Sequence, residues 1–198
     1  MTNHYINLVS WEYFAHSSEG QLHCDSRLMA LLSAALGVKI VVTSGPGTLY
    51  KKNPEERVLI LGEKSIRVNA FNYSLPFWKS QEEVKITGDL IDAIDGYNII
   101  YIGISSPKQD RLAHLLNKLN SDKHYFCFGA ALYSNNLVEY LEKYGLMFLG
   151  FLISKPIRTT KKFYISLWNI FRIIFFKDVR TKFLQVMVKI NETKFSRL

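Results

Sequence analysis

The residues from Gly103 to Asp110 combine a turn of small side chains with a lysine, an amide and a carboxylate. Asn98–Ile102, just before them, is apolar and β-branched, and an amphipathic pattern follows, so this order predicts a strand, a loop and a helix. In an open α/β sheet, ligands bind in the crevice beyond the carboxyl end of such a strand. Lys108, Gln109 and Asp110 would lie at the helix entrance, where unpaired backbone N–H groups and the helix dipole favour an anion such as a diphosphate.

A second chemically capable group is cationic and lies near the end of the chain. Residues 151–198 hold 11 Lys and Arg against Asp178 and Glu192, net +9, which leaves 14 Lys and Arg against 15 Asp and Glu, net −1, for residues 1–150. A basic segment can serve nucleic acid or an anionic membrane surface. Aromatic and aliphatic side chains crowd between these charges, far more than an arm that tracks phosphates needs. We therefore expect a membrane surface as partner and no nucleic acid.

Charges interrupt the stretch from Lys161 to Phe176 too often for a spanning helix, which needs about 20 mainly apolar residues. On a helix, its apolar residues form a stripe bordered by cations, which suits a helix lying in the membrane interface. The alternative is an ordinary amphipathic helix that closes the core or a subunit interface. The residues predicted to contact the membrane are Phe163, Leu167, Trp168, Ile170, Phe171, Arg172 and Ile174.

Other segments must supply the elements that position these residues. Apolar residues at helical spacing from Leu28 to Leu36 predict a helix, with Gly37 as its stop and Asp25 or Ser26 as its N-cap. Residues 38–43 are predicted as a buried strand ending in a turn at 44–47. Further predicted strands lie at residues 5–11, 57–62 and 124–128, and further predicted helices lie within 81–95 and at 110–120 and 136–144.

This alternation predicts an α/β fold, with a Rossmann-like, mainly parallel sheet flanked by helices in residues 1–152. Residues 153–198 are predicted to form a basic amphipathic C-terminal helical appendage that associates with the membrane. Cys24 and Cys127 are too few for a disulfide framework, and no basic leader precedes a long apolar segment, so a cytoplasmic location is expected. The five histidines are scattered and no C-x-x-C or Asp-x-Asp pair occurs, so no metal site is predicted.

Several motifs carry a resemblance to a known family. Gly103-Ile-Ser-Ser-Pro-Lys-Gln-Asp110 resembles the G-x-G-x-P-K-Q-E signature of the WecG/TagA/CpsF glycosyltransferases, glycosyltransferase family 26, with Ser105 replacing glycine and Asp110 replacing glutamate. The segment from Cys24 to Gly37 resembles the family's P-D-G-x-G and the apolar helix after it. Residues 144–149 resemble its G-L-E-W-L, and residues 155–163 resemble E-P-x-R-x-x-R-R-Y, the start of its C-terminal appendage. The resemblance covers about residues 22–170.

The resemblance implies an inverting, metal-independent glycosyltransferase of bacterial surface-polysaccharide biosynthesis that needs no cofactor. The donor would be a UDP-sugar, carrying an N-acetylhexosamine or related hexose, and the acceptor a polyprenyl-diphosphate-linked saccharide. The protein would be cytoplasmic and peripheral on the inner face of the cell membrane, and the resemblance allows a homo-oligomer. Asp25 falls on the catalytic base that family models propose, and an N-cap is its alternative role.

The same resemblance implies which residues hold the donor. Without a metal, positive side chains and backbone N–H groups must stabilise the charge that builds on the leaving diphosphate. Arg158, Lys161 and Lys162 are candidates for this role, and the alternative is that they contact only lipid headgroups. The residues expected to bind the donor are Gly103, Ser105, Pro107, Lys108, Gln109, Arg158, Lys161 and Lys162.

A second hypothesis is a catalytically degenerate relative that binds a nucleotide sugar or serves as a partner subunit of a transferase. The segment from Val41 to Leu49 lacks the arginine and aspartate that the family carries there. Leu132 stands where the family has an aspartate, and the arginine-alanine-proline triplet ahead of the G-L-E-W-L segment is absent. These differences favour binding without turnover, and a donor-turnover assay separates the two hypotheses.

Overall fold

The computed structural model describes residues 1–16, 20–43, 57–62, 70–129, 132 and 147–195. In this part of the chain six strands form one sheet in which every neighbouring pair is parallel. The order across the sheet is β2-β1-β6-β5-β3-β4. The strands are β1 (Thr2–Ile6), β2 (Gln21–Cys24), β3 (Val58–Leu61), β4 (Phe71–Tyr73), β5 (Ile99–Ile102) and β6 (His124–Cys127). The predicted α/β class with a Rossmann-like parallel sheet is confirmed.

Helices flank this sheet, and three of them follow one another at the end of the chain. Two of the shorter helices begin with side-chain caps, since Ser26 Oγ accepts from Met29 N at 3.2 Å and Thr87 Oγ1 accepts from Leu90 N at 3.4 Å. The helices described are α1 (Trp11–Ala15), α2 (Arg27–Ala35), α3 (Gly88–Asp95), α4 (Lys108–Leu119), α5 (Met147–Ser154), α6 (Pro156–Phe175) and α7 (Lys177–Phe195).

The central strands are apolar on both faces, as strands of a parallel sheet covered by helices must be. Successive side chains of a strand point to opposite faces. Leu59 and Ile100 therefore belong to the core cluster that α3 and α4 complete, whereas Ile60 and Tyr101 belong to a cluster on the other face. Complete burial of β3 explains why its sequence, VLIL, contains no polar residue.

The last helix, α7, packs into the body of the protein. Phe183 and Met187 are fully buried in one cluster with Trp11 and Phe14 of α1 and Cys24 of β2. The rings of Phe183 and Trp11 meet edge to face, 5.4 Å apart. Because α7 completes this core, the C-terminal segment is anchored to the β1 and β2 side of the sheet.

The boundaries of several predicted elements hold. Strands β3, β5 and β6 and helix α2 lie where the patterns predicted them, and α4 begins at Lys108, two residues before the predicted start. The predicted helix at 136–144 and the turn at 44–47 lie outside the described residues.

Two strand predictions are wrong. Strand β1 ends at Ile6, and Trp11 instead starts α1, because its indole is needed in the helical core against α7. Residues 38–43 form no strand; Val42 makes an isolated bridge to Cys24 beyond the outer edge of β2, and Val41 is exposed. The β-branched pattern of this segment reflects apolar packing of Val38 and Ile40 onto the core beside α7 and not strand pairing.

Substitution of a buried α7 residue tests whether this helix belongs to the core. We expect Phe183→Ala to lower the free energy of unfolding by about 3–5 kcal/mol, because it leaves a cavity beside Trp11. Val188→Ala, on the exposed side of the same helix, should change it by no more than about 0.5 kcal/mol. Urea unfolding followed by circular dichroism measures both free energies. If Phe183→Ala lowers the free energy of unfolding no more than Val188→Ala does, α7 does not contribute to the core.

Candidate functional site

The carboxyl ends of β1 and β2 place a polar loop and a carboxylate side by side. The amide of Asp25, just after β2, donates to Ile6 O at 2.8 Å and so fixes the chain beside the end of β1. Asn7 follows β1, and its Oδ1 accepts from Val9 N at 2.9 Å, which shapes the loop. Ser26 caps α2, so the capping role considered for Asp25 belongs to its neighbour.

Helix α6 is held across this loop by polar contacts. Asn169 Nδ2 donates to Leu8 O at 2.7 Å in a buried position. Arg172 pairs with Glu12 of α1 at 2.8 Å between the guanidinium nitrogen and the carboxylate oxygen. These contacts, together with the burial of Ile173, hold the second half of α6 against α1 and the loop after β1.

Between α6 and this edge of the sheet lies a cavity of about 450 Å³, here called the cationic cavity. Its size is typical of small-molecule sites. Its apolar lining is formed by Leu8, Val9, Leu28, Phe151 and Phe163. Its polar lining is formed by Asn7, Ser26, Thr159, Ser166 and three cations, Lys155, Arg158 and Lys162.

The charged side chains that line the cationic cavity are all positive. Among the described residues that line it, none is Asp or Glu. Burial, followed by the nearby charges of Arg158 and Lys155, lowers the pKa of the Lys162 ammonium below its ordinary value of 10.5. Like charges that converge in a partly buried site repel one another, and a bound phosphate would remove that repulsion.

The backbone N–H groups after the turn from Gly103 to Pro107 are not available to an anion as predicted. The amides of Lys108 and Gln109 both donate to Ser105 O, at 3.1 and 3.3 Å, so the expectation that they are unpaired is wrong. Ser105 satisfies them because the turn folds back over the start of α4. The Lys108 ammonium donates to Trp78 O at 2.7 Å and does not line the cationic cavity.

A buried polar cluster, absent from the sequence predictions, lies beneath the same turn. His4 Nδ1 and Asp110 Oδ1 are 2.7 Å apart, and Asp110 also accepts from the Ser106 hydroxyl. Cys127 completes a group whose ligand atoms lie within 4.8 Å of one another, a donor set able to hold a metal ion. Burial, and then the Asp110 charge, raises the pKa of the Cys127 thiol well above its usual range, so the thiol is neutral and unsuited to be a nucleophile.

Gln109 presents a hydrogen-bond acceptor near the end of β6. Its side chain is 4% exposed, and its Oε1 has no hydrogen-bond partner in the described structure. This oxygen lies 3.3 Å from the position that a Cβ on Gly129 would occupy, and Ile104 O lies 3.4 Å from the same point. The absence of a Cβ at Gly129, which has φ of +55°, therefore leaves Gln109 Oε1 and Ile104 O close to one point beside this residue.

The predicted site residues thus fall into separate places. Arg158 and Lys162 line the cationic cavity, and Asp25 directly precedes Ser26, which also lines it. Lys161 is exposed and outside the lining. The cavity lining likewise excludes the predicted donor-binding residues of the turn and the start of α4, namely Gly103, Ser105, Pro107, Lys108 and Gln109.

The predicted membrane residues of α6 divide in the same way. Ile170 packs against the core beside α7, and Arg172 is held by Glu12. No helix in the described part of the chain is both long enough and apolar enough to cross a bilayer. The other predicted membrane residues, Phe163, Leu167, Trp168, Phe171 and Ile174, are exposed. Tyr164 and Phe175 of the same helix are also exposed, and these seven residues are here called the aromatic face.

Neither the cavity nor the buried cluster was visible in the sequence as a unit. His4 and Asp110 are 106 residues apart, and the cavity joins residues 7–9, 26–28 and 151–166. The concentration of charge in residues 151–198 was the available signal for the cations, whereas no local signal marked His4 or Asn7.

Comparison of the chain with models of protein families, with curated proteins and with solved structures finds no match. The function must therefore be inferred from the lining, charge and position of the cavity on the sheet.

Proposed function

We propose that this protein is an inverting, metal-independent glycosyltransferase that moves an N-acetylhexosamine or related hexose from a UDP-sugar to a polyprenyl-diphosphate-linked saccharide. Such a reaction belongs to bacterial surface-polysaccharide biosynthesis at the inner face of the cell membrane. The observation that carries the proposal is the cationic cavity, which is lined by Ser26, the residue after Asp25, at the carboxyl edge of a Rossmann-like sheet. Ligands of open α/β sheets bind at this edge.

The cations of the cavity match a chemical group that both substrates share. Both substrates carry a diphosphate, and positive groups already held in place stabilise phosphate charge without reorganising. Arg158 and Lys162 belong to one helix and line the cavity together with Lys155, so a diphosphate could contact more than one of them.

We propose Asp25 as the general base, a role supported by its place in the chain directly before the cavity residue Ser26. Its amide is fixed to Ile6 O at the end of β1, and its neighbour Ser26 lines the cavity. A carboxylate there would take the proton from the acceptor hydroxyl as the diphosphate leaves from the opposite face of the sugar, which inverts the anomeric centre.

The resemblance of the Gly103–Asp110 motif supports a donor site beyond β5 and β6. Gln109 Oε1 and Ile104 O converge beside Gly129 and would accept from the N–H of a uracil ring. The buried contact of Asp110 with His4 and Ser106 would hold this turn in place for that purpose.

The aromatic face supports membrane association. Monomeric soluble proteins rarely expose contiguous apolar patches of more than a few hundred Å², and larger ones mark interaction sites. The aromatic face is accompanied on the same helix by Lys161 and Arg158, which suits an anionic interface.

A degenerate, nucleotide-sugar-binding subunit is the second candidate. One observation favours it: Lys108 of the family motif is engaged by Trp78 O and lies over the Phe77 ring, 5.2 Å from its centroid. A lysine held in this way is withdrawn from donor binding, which adds to the missing family residues near Val41 and at Leu132.

Titration of Lys162 tests the electrostatic basis of the proposal. Because its folded-state pKa lies below the unfolded value, the unfolded chain binds the proton more tightly, and the charged lysine opposes folding. This penalty fades as pH rises through the interval between the lowered pKa and 10.5. We expect Lys162→Met to be more stable than wild type at neutral pH without ligand, and this advantage to shrink towards pH 10.5.

Thermal unfolding from neutral to alkaline pH measures this advantage. Lys161→Met, at the exposed neighbouring position, is the control and should show no comparable trend. An advantage of Lys162→Met that stays constant over the pH range would contradict a charge penalty in the cavity and indicate apolar packing alone.

Donor turnover with a panel of UDP-sugars tests the chemistry. We expect Asp25→Asn to lower transfer by about 10²–10⁴-fold while donor binding persists, because only proton transfer is lost. The exposed Asp89 on α3 provides the control, and Asp89→Asn should leave the rate unchanged. If wild type and Asp25→Asn both bind donor and neither turns it over, the chain is a binding subunit.

Partition onto anionic vesicles tests the aromatic face. Trp168→Ser combined with Phe171→Ser should weaken partition by about tenfold or more, since two large apolar side chains no longer enter the interface. Point changes are used because removal of the C-terminal segment would also remove the core residues of α7. Phe77→Ser, which alters a more exposed aromatic residue away from α6, should have no effect, and an equal loss of partition there would refute a specific membrane face.

A further inference from the structure

We infer that the cationic cavity binds the phosphate group of a membrane lipid, with the first part of its apolar chain along the cavity wall, and does not bind the nucleotide sugar. The inference rests on the proposed function only in calling that lipid the acceptor. Four features carry it: hydrogen-bonding capacity, apolar lining, continuity with the aromatic face, and charge.

The hydroxyl groups of the cavity are largely committed to the protein. Thr159 Oγ1 donates to Phe151 O at 2.9 Å, and Ser166 Oγ donates to Lys162 O at 2.9 Å. Ser26 Oγ and Asn7 Oδ1 already accept hydrogen bonds from backbone amides. A nucleotide sugar brings a base, a ribose and a hexose whose polar groups all require partners once buried, and this lining supplies few.

The remaining wall suits a hydrocarbon chain. Leu8, Val9, Leu28, Phe151 and Phe163 contribute apolar side chains to the lining. Each buried methylene of a lipid gains about 0.8 kcal/mol against such a surface. A phosphate ester with an apolar chain therefore satisfies both the cations and the wall.

The cavity is continuous with the surface proposed to meet the bilayer. Phe163 and Leu28 line it and are nonetheless 44% and 49% exposed, so they form its mouth. From Phe163, the aromatic face continues along α6 through Leu167 and Trp168, which is 59% exposed. A lipid could thus enter from the membrane without passing through water.

The charges provide recognition of the phosphate itself. Lys155, Arg158 and Lys162 lie on one side of the lining, opposite no acidic residue among the described lining residues. A guanidinium can contact two phosphate oxygens at once, and an ammonium acts as a point charge. Zwitterionic headgroups would bring a second positive charge to this cluster and are disfavoured.

Isothermal titration calorimetry with four probes in a common dilute-detergent buffer tests the inference. Farnesyl diphosphate carries both the apolar chain and the phosphate charge. Farnesol carries only the chain, and inorganic diphosphate carries only the charge. UDP represents the nucleotide part of the sugar donor. We expect farnesyl diphosphate to bind at least about tenfold more tightly than each of the other three, because both the wall and the cations contribute. Equal or tighter binding of UDP or inorganic diphosphate would overturn the inference, and so would equal binding of farnesol.

A matched pair of variants places the binding in the cavity. Lys162→Gln should weaken the binding of farnesyl diphosphate by about tenfold or more. Lys161→Gln, one residue away and outside the lining, should change the affinity by less than about twofold. Equal losses would mean general surface electrostatics and would contradict a built site. Arg158→Gln, an exposed position that also lines the cavity, repeats the test if Lys162→Gln does not fold.

The failure of this inference differs from the failure of the proposed transferase. If farnesyl diphosphate binds as expected while no UDP-sugar is turned over, the lipid site stands and the transferase is lost. If sugar is transferred and Lys162→Gln raises the KM for the UDP-sugar but not that for a prenyl-diphosphate-linked acceptor, the transferase stands and the lipid assignment is lost.

Discussion

The burial of one face of α7 against α1 and β2 is the constraint on which the candidate site depends. Phe183 and its neighbours occupy the same core as Trp11, so the end of the chain cannot leave the sheet without exposing that core. Only Phe176 separates α6 from α7, and its extended backbone turns the chain between them. The buried α7 therefore determines where α6 lies. The hydrogen bond from Asn169 to Leu8 O fixes α6 beside the loop that follows β1.

Much of the fold could be predicted from the sequence because its signals are local. The all-apolar runs of β3 and β5, the helical spacing of α2 and the turn at Gly103 depend on near neighbours. Strand β2 was missed because Leu22 and Cys24 are its only apolar positions, too few for a pattern. The cavity and the contact of His4 with Asp110 join distant segments, and no periodicity reports such relationships.

The charge distribution explains why we propose the anion site at α6 and not at the turn after β5. The start of α4 has a buried carboxylate, Asp110, and amides already bound to Ser105 O, so it offers little attraction to phosphate. Three of the eleven cations in residues 151–198, namely Lys155, Arg158 and Lys162, instead line the cavity, where burial and the other two cations disfavour the charged form of Lys162. In the proposed function, a lipid phosphate would relieve that repulsion and would also bring the aromatic face to the membrane, so that substrate capture and membrane contact would be one event.

A crystal structure of the protein with a short prenyl diphosphate tests this account most directly. We expect phosphate density within hydrogen-bonding distance of Arg158 and Lys162, with the prenyl chain directed past Phe163 towards the aromatic face. Phosphate density at the Gly103–Pro107 turn, with the cationic cavity unchanged, would contradict it.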